Sequence, residues 1–130
     1  MNYNTAHGCT ASTATVYNVT VNSLPVPTIT GPATVCLNST GNVYTTQAGM
    51  TSYVWSIVGG TITSGGTGTS NTATVTWNSS GAQSISVNYN NSNGCTSSTA
   101  TVYNVTVNSL PAASISYAGS PYCKTGTATV

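Results

Sequence analysis

An all-β sandwich of two packed sheets is the fold that this sequence predicts. Three observations carry the expectation. Val, Ile, Thr and Tyr, the residues that fit a pleated half-buried surface, dominate the chain. Turn-forming clusters of Gly, Asn, Ser and Pro recur every eight to twelve residues, about the spacing of short sandwich strands. No stretch shows apolar residues at helical spacing.

The elements run in order from the first proline pair. Pro25-Val26-Pro27 is a stiff entry, because proline fixes φ and has no amide hydrogen to donate. Thr28–Thr30 opens a first strand that Gly31-Pro32 interrupts and Val35–Leu37 continues, with Asn38–Gly41 as the next turn. Asn42–Gln47 is a second strand, ended by Ala48-Gly49. Ser52–Val58 is the strongest central strand: Tyr53, Trp55 and Ile57 share one side, and Val54 and Val58 flank Ser56 on the other. Gly59-Gly60 turns it into Thr61–Ser64, and Gly65–Asn71 reads as a flexible Gly/Ser/Thr loop, the most mobile part of the domain. In Ala73–Trp77 the residues Ala73, Val75 and Trp77 alternate inward. After Asn78–Gly81, Ala82–Tyr89 places Ile85, Val87 and Tyr89 on one face. Asn90–Gly94 is a hairpin loop, and Thr99–Asn108 closes the sandwich with Tyr103, Val105 and Val107 together. The expected core is therefore Tyr53, Trp55, Ile57, Val75, Trp77, Ile85, Val87, Val105 and Val107.

One stretch occurs twice. Residues 2–25 and 88–111 align without a gap at 20 of 24 positions, always 86 residues apart. A repeat of this length is a whole domain rather than a solenoid turn. The organisation expected is the C-terminal part of a preceding repeat over 1–25, one complete domain over 26–111, and the front of a following, diverged domain over 112–130. The ends allow two readings. They are either a window on a longer chain, or half-domains that a neighbouring copy completes by strand exchange.

Composition excludes several functions. The 130 residues contain no Asp or Glu, one Lys and one His, while Ser, Thr and Asn supply 58. Without a basic patch, nucleic acid is not an expected partner, and no apolar run is long enough to span a membrane. General acid–base catalysis needs a positioned titratable group, and nucleophilic serine needs a His–Asp pair. His7 aligns with Asn93 in the second copy, so it reads as an exposed hairpin residue. No enzyme, no catalytic residue, no cofactor and no metal site are expected.

Cys9, Cys36, Cys95 and Cys123 point to an oxidising compartment. Cys36 and Cys95 are the two thiols inside the complete domain, so they are the expected disulfide. Its closure over nearly 60 residues is worth about 4 kcal/mol in the chain-entropy model. Cys9 and Cys123 would pair with cysteines of adjacent repeats or chains. Metal binding and free thiols are the alternatives.

The run TSYVWSIVGGTITSGGTGTSNTATVTWNSSGAQSISVNYNNSNGCT, with ITGPATVC before it, resembles the PKD-like, immunoglobulin-like repeats of very large surface proteins. Such repeats are familiar from Bacteroidota, where they occur in adhesins exported by the type IX pathway. The resemblance covers Pro27 to about Pro111. It implies an immunoglobulin-like (PKD-like) sandwich, repeated in tandem every 86 residues, at the cell surface or secreted. The chain departs from the better-known PKD pattern after the Trp, where Ser56 and Ile57 replace an acidic, glycine-rich turn. Nothing that depends on that turn carries over.

The leading expectation is a structural module of a stalk, fibre or filament, its partners being adjacent repeats or neighbouring copies. The rival is a glycan- or surface-binding module using exposed loops such as Gly65–Ser70, with Trp55 or Trp77 as a stacking platform. Solvent exposure of either Trp would favour it, and burial of both would remove the platform. Five Asn-x-Ser/Thr sequons, at Asn18, Asn38, Asn78, Asn90 and Asn104, read as turn and edge-strand polarity, or as sugar sites if the source glycosylates.

Overall fold

The computed structural model describes residues 3–116. Seven strands form two sheets: β1 (Thr34–Cys36), β2 (Asn42–Thr45), β3 (Thr51–Val58), β4 (Gly60–Gly65), β5 (Thr72–Trp77), β6 (Gly81–Asn90) and β7 (Thr101–Asn108). The first sheet runs β1-β7-β6-β3 and the second β2-β5-β4. All pairs are antiparallel except β1 on β7, which is parallel. The predicted all-β, two-sheet sandwich is what forms, with no helix among the described residues.

Alternation decides which residues meet between the sheets, since successive side chains point to opposite faces. Across the first sheet Trp55 pairs with Val87, Ile57 with Ile85, Ile85 in turn with Tyr103, and Val35 with Val107. Across the second, Tyr44 pairs with Ala73, and Ile62 with Val75. Tyr53, Trp55, Val75, Trp77, Ile85, Val87, Val105 and Val107 are buried, and Ile57 packs half-buried against them.

The centre of this core is a residue that alternation alone does not single out. Tyr44 is fully buried and packs edge-on to both Trp77 and Tyr103, with ring centroids 6.0 Å apart in each pair. Its hydroxyl donates to the Pro32 carbonyl at 2.9 Å and accepts the Trp77 Nε1–H at 3.2 Å. Tyr103 adds a bond from its hydroxyl to the Gly31 carbonyl at 2.8 Å.

These tyrosines hold the point where the entering chain changes sheets. Thr30 bridges Thr45 of the second sheet, whereas Ala33 and β1 join β7 of the first. The interruption expected at Gly31-Pro32 is this crossing. Proline cannot donate to either ladder, and Gly31 admits the tyrosine ring. A Cβ on Gly31 would lie 2.9 Å from Tyr44 Cε1 and from the Val43 carbonyl.

The Gly65–Asn71 loop differs from expectation because its backbone and a ring nitrogen tie it to the body. Tyr53 N–H donates to the Gly68 carbonyl, Trp55 Nε1–H to the Ser70 carbonyl and Thr46 N–H to the Asn71 carbonyl, each at 2.9 Å.

The expected Cys36–Cys95 bridge does not form, and Cys9, Cys36 and Cys95 are free thiols. Topology is the reason. Cys36 lies beside Asn108 at the end of β7, while Cys95 precedes its start at Thr101. The seven steps from Thr101 to Asn108 put them about 23 Å apart or more, against the roughly 7 Å that limits a disulfide's Cα separation. Cys123 lies outside the described residues.

Candidate functional site

The domain has two poles, and the chain enters at one and leaves at the other. β7 starts beside Pro27, whose carbonyl accepts the Thr101 hydroxyl at 2.7 Å, and it ends at Asn108 beside Cys36. The entry pole is where uncharged side chains converge.

Entry begins with carbonyls rather than amides, because Pro25 and Pro27 have no N–H to offer. Three side chains take up that offer. Gln47, at the end of the second strand's run, donates Nε2–H to the Val26 carbonyl at 3.3 Å and to the Thr28 hydroxyl at 2.9 Å. Its Oε1 accepts the Thr28 N–H at 3.1 Å and the Thr46 hydroxyl at 2.8 Å. Thr101 holds Pro27 as described, and Asn91 donates Nδ2–H to the Ser23 carbonyl at 3.2 Å. The linker from Ser23 to Pro27 is therefore gripped from two strand ends and a hairpin. Sequence reasoning did not identify Gln47, Asn91 or Thr101. The available signal was an amide side chain placed where a strand meets a Pro-rich entry.

The hairpin that carries Asn91 is itself well defined. Asn91 N–H donates to the Cys95 carbonyl and its Oδ1 accepts the amides of Asn93 and Cys95, all at 3.0 Å. Gly94 takes a left-handed φ of 75°, which suits glycine. The same turn recurs near the start of the chain. There Thr5 N–H reaches the Cys9 carbonyl at 2.9 Å, and Gly8 has φ 76°. Thr10 bonds Asn4 as Thr96 bonds Asn90.

Beyond the turn the two copies diverge in structure. Residues 101–108 form β7, but their counterparts over 15–22 carry no strand. Val21 is 89% exposed where Val107 is 2%, and Tyr17 is 89% exposed where Tyr103 packs on Tyr44. Val19 is exposed as well, although its counterpart Val105 is buried. The first copy thus leaves open the three side chains that the second turns inward.

The remaining candidates are quickly placed. Trp77 is fully buried and Trp55 is 9% exposed, its ring nitrogen committed to Ser70, so neither offers a face to a sugar. An open groove of about 450 Å³ beside the Gly65–Asn71 loop is lined by Met50, Thr51, Ser52, Gly68 and Thr69, without charge or aromatic ring. His7 is exposed on the first hairpin. Asn18, Asn38, Asn78, Asn90 and Asn104 are at least partly open, and Asn78 donates to the Thr61 hydroxyl at 2.7 Å. Burial raises the Tyr44 hydroxyl above its ordinary pKa, offset in part by the bond from Trp77 and reinforced by Tyr103. Burial, with Tyr53 beside it, raises Tyr89 as well.

The model of the PKD-like domain matches residues 21–107, from the gripped linker to the end of β7. The chain belongs to the PKD-like domain family. No curated protein matches it. PKD-like domains are a non-catalytic kind of β-sandwich module, structural or adhesive in type and typically extracellular. No helix among the described residues is long and apolar enough to cross a membrane.

Proposed function

We propose that this PKD-like domain is a spacer in an extracellular tandem array, a stalk or fibre of a surface adhesin. Residues 1–25 then correspond to the closing hairpin and last strand of the module before it. The observation that carries this reading is the polarity of the domain. Entry and exit lie at opposite ends of β7, and Gln47, Asn91 and Thr101 fix the entering linker. Modules joined this way extend. Each adds about 35 Å, the length of the ten-residue β6. Absence of like charge also removes repulsion between neighbouring fibres. The family resemblance to large Bacteroidota surface proteins supports the same assignment. Small-angle scattering on chains carrying residues 26–111 once, twice and three times tests it. The maximum dimension should rise by about 35 Å per module, and a rise of less than half that would refute the spacer.

A further inference from the structure

The two cysteines that cannot meet inside one module are placed to meet between two. Cys36 ends β1 at the exit pole, exposed, on a turn fixed by the Ser39 amide and hydroxyl bonding the Cys36 carbonyl at 3.1 and 2.7 Å. Cys95 lies at the entry pole, half-buried, in the Asn91 hairpin.

The duplicated stretch shows what faces that hairpin in an array. The Leu37 amide donates to the Asn108 carbonyl at 2.8 Å, so Cys36 and its neighbour border Asn108. In the upstream copy Asn108 corresponds to Asn22. The very next residue, Ser23, is the one Asn91 holds, and Asn91 also binds both the amide and the carbonyl of Cys95. The upstream module's equivalent of Cys36 thus borders the same short linker that the downstream hairpin grips.

We propose that Cys36 of one module and Cys95 of the next form a disulfide across the junction, stapling the array end to end. The inference rests on the spacer reading above. Such a bond locks the angle between modules and closes a loop through two domains, so it stiffens a junction between modules whose sequence has no acidic side chain to form an ion pair. Formation needs a disulfide oxidant such as oxidised glutathione. One cysteine thiolate attacks it and releases one glutathione thiol. The second thiolate attacks the mixed disulfide and releases the other, so two electrons and two protons leave the protein.

A chain carrying residues 26–111 twice tests this, since that span holds every described strand and every buried core residue. One variant keeps only the junction pair, with C95S in the first copy and C36S in the second. The other keeps only the outer pair, with C36S in the first and C95S in the second. Each is treated with oxidised glutathione after its melting temperature has shown that both copies are folded. Intact mass should show the junction variant losing two hydrogens as a monomer and retaining no free thiol, while the outer variant does not close. Open or merely glutathionylated thiols in the junction variant, or equal closure in both, would overturn the staple. Scattering on the reduced chain separates the two ideas: extended modules whose junction variant then stays open under oxidised glutathione remove only the disulfide, and modules folded side by side remove the spacer itself.

Discussion

Replacing Tyr44 by Phe deletes one oxygen from the centre of the sandwich. That oxygen donates to the Pro32 carbonyl and accepts from Trp77 Nε1, so two hydrogen bonds go at once. The ring stays, and with it the edge-on packing against Trp77 and Tyr103. A typical bond nets about 1 kcal/mol, but a buried donor left without a partner costs about 1–3 kcal/mol. Trp77 is fully buried, so its indole N–H falls in the costly class. The expected loss for Y44F is about 2–3 kcal/mol, or roughly 10–20 °C in melting temperature for a domain of this size. Y103F is the comparison, because its hydroxyl makes one more exposed bond, to Gly31. It should cost about 0.5–1 kcal/mol. Urea unfolding detected by tryptophan fluorescence reports both. A Y44F loss below about 0.5 kcal/mol, or one no larger than that of Y103F, would refute the view that this hydroxyl anchors the sheet crossing.

Other perturbations have equally definite outcomes. Gly31→Ala should cost about 1–3 kcal/mol by overpacking, because its Cβ would press on a ring with no room to turn; thermal unfolding measures it. The Tyr44 and Tyr89 phenols ionise at lower pH in the unfolded chain than in the folded one. Stability should therefore be whole below about pH 10 and decline as pH rises past it. With no Asp or Glu to protonate, the melting temperature should stay nearly flat from about pH 4 to pH 9. Tyr103→Ser should lower the melting temperature markedly, whereas Tyr17→Ser should leave it unchanged, since only Tyr103 meets Tyr44. Gln47→Ala should shorten a multi-module chain in scattering while costing only about 1 kcal/mol of stability, because it frees the linker rather than the core.

Much of the fold was legible because alternation is a local property. Tyr53, Trp55, Val75 and Val87 declare their buried face by period two, and Gly-Gly and Asn-rich clusters mark the turns. Polar recognition was not legible in the same way. The Gln47 side chain reads as one more strand-end amide until Val26 and Thr28 are brought beside it, 19 to 21 positions away in sequence. Cysteine pairing failed for a related reason. Counting thiols inside one repeat suggested Cys36 and Cys95, but parallel addition of β1 to β7 sends them to opposite poles.

The duplicated segment separates the two kinds of information within one molecule. Residues 12–25 and 98–111 are identical. The hairpin before each copy forms the same turn, since its bonds span six residues or fewer and need only Gly8 or Gly94 and a neighbouring Asn or Thr. The strand after it exists only in the second copy. There β6 and β1 supply its backbone partners, and Tyr44 and the facing sheet bury its side chains. A turn closes its hydrogen bonds within itself, so sequence alone determines it. A strand's bonds and its apolar face are completed by residues elsewhere, so the tertiary structure decides whether TVYNVTVN is a strand at all.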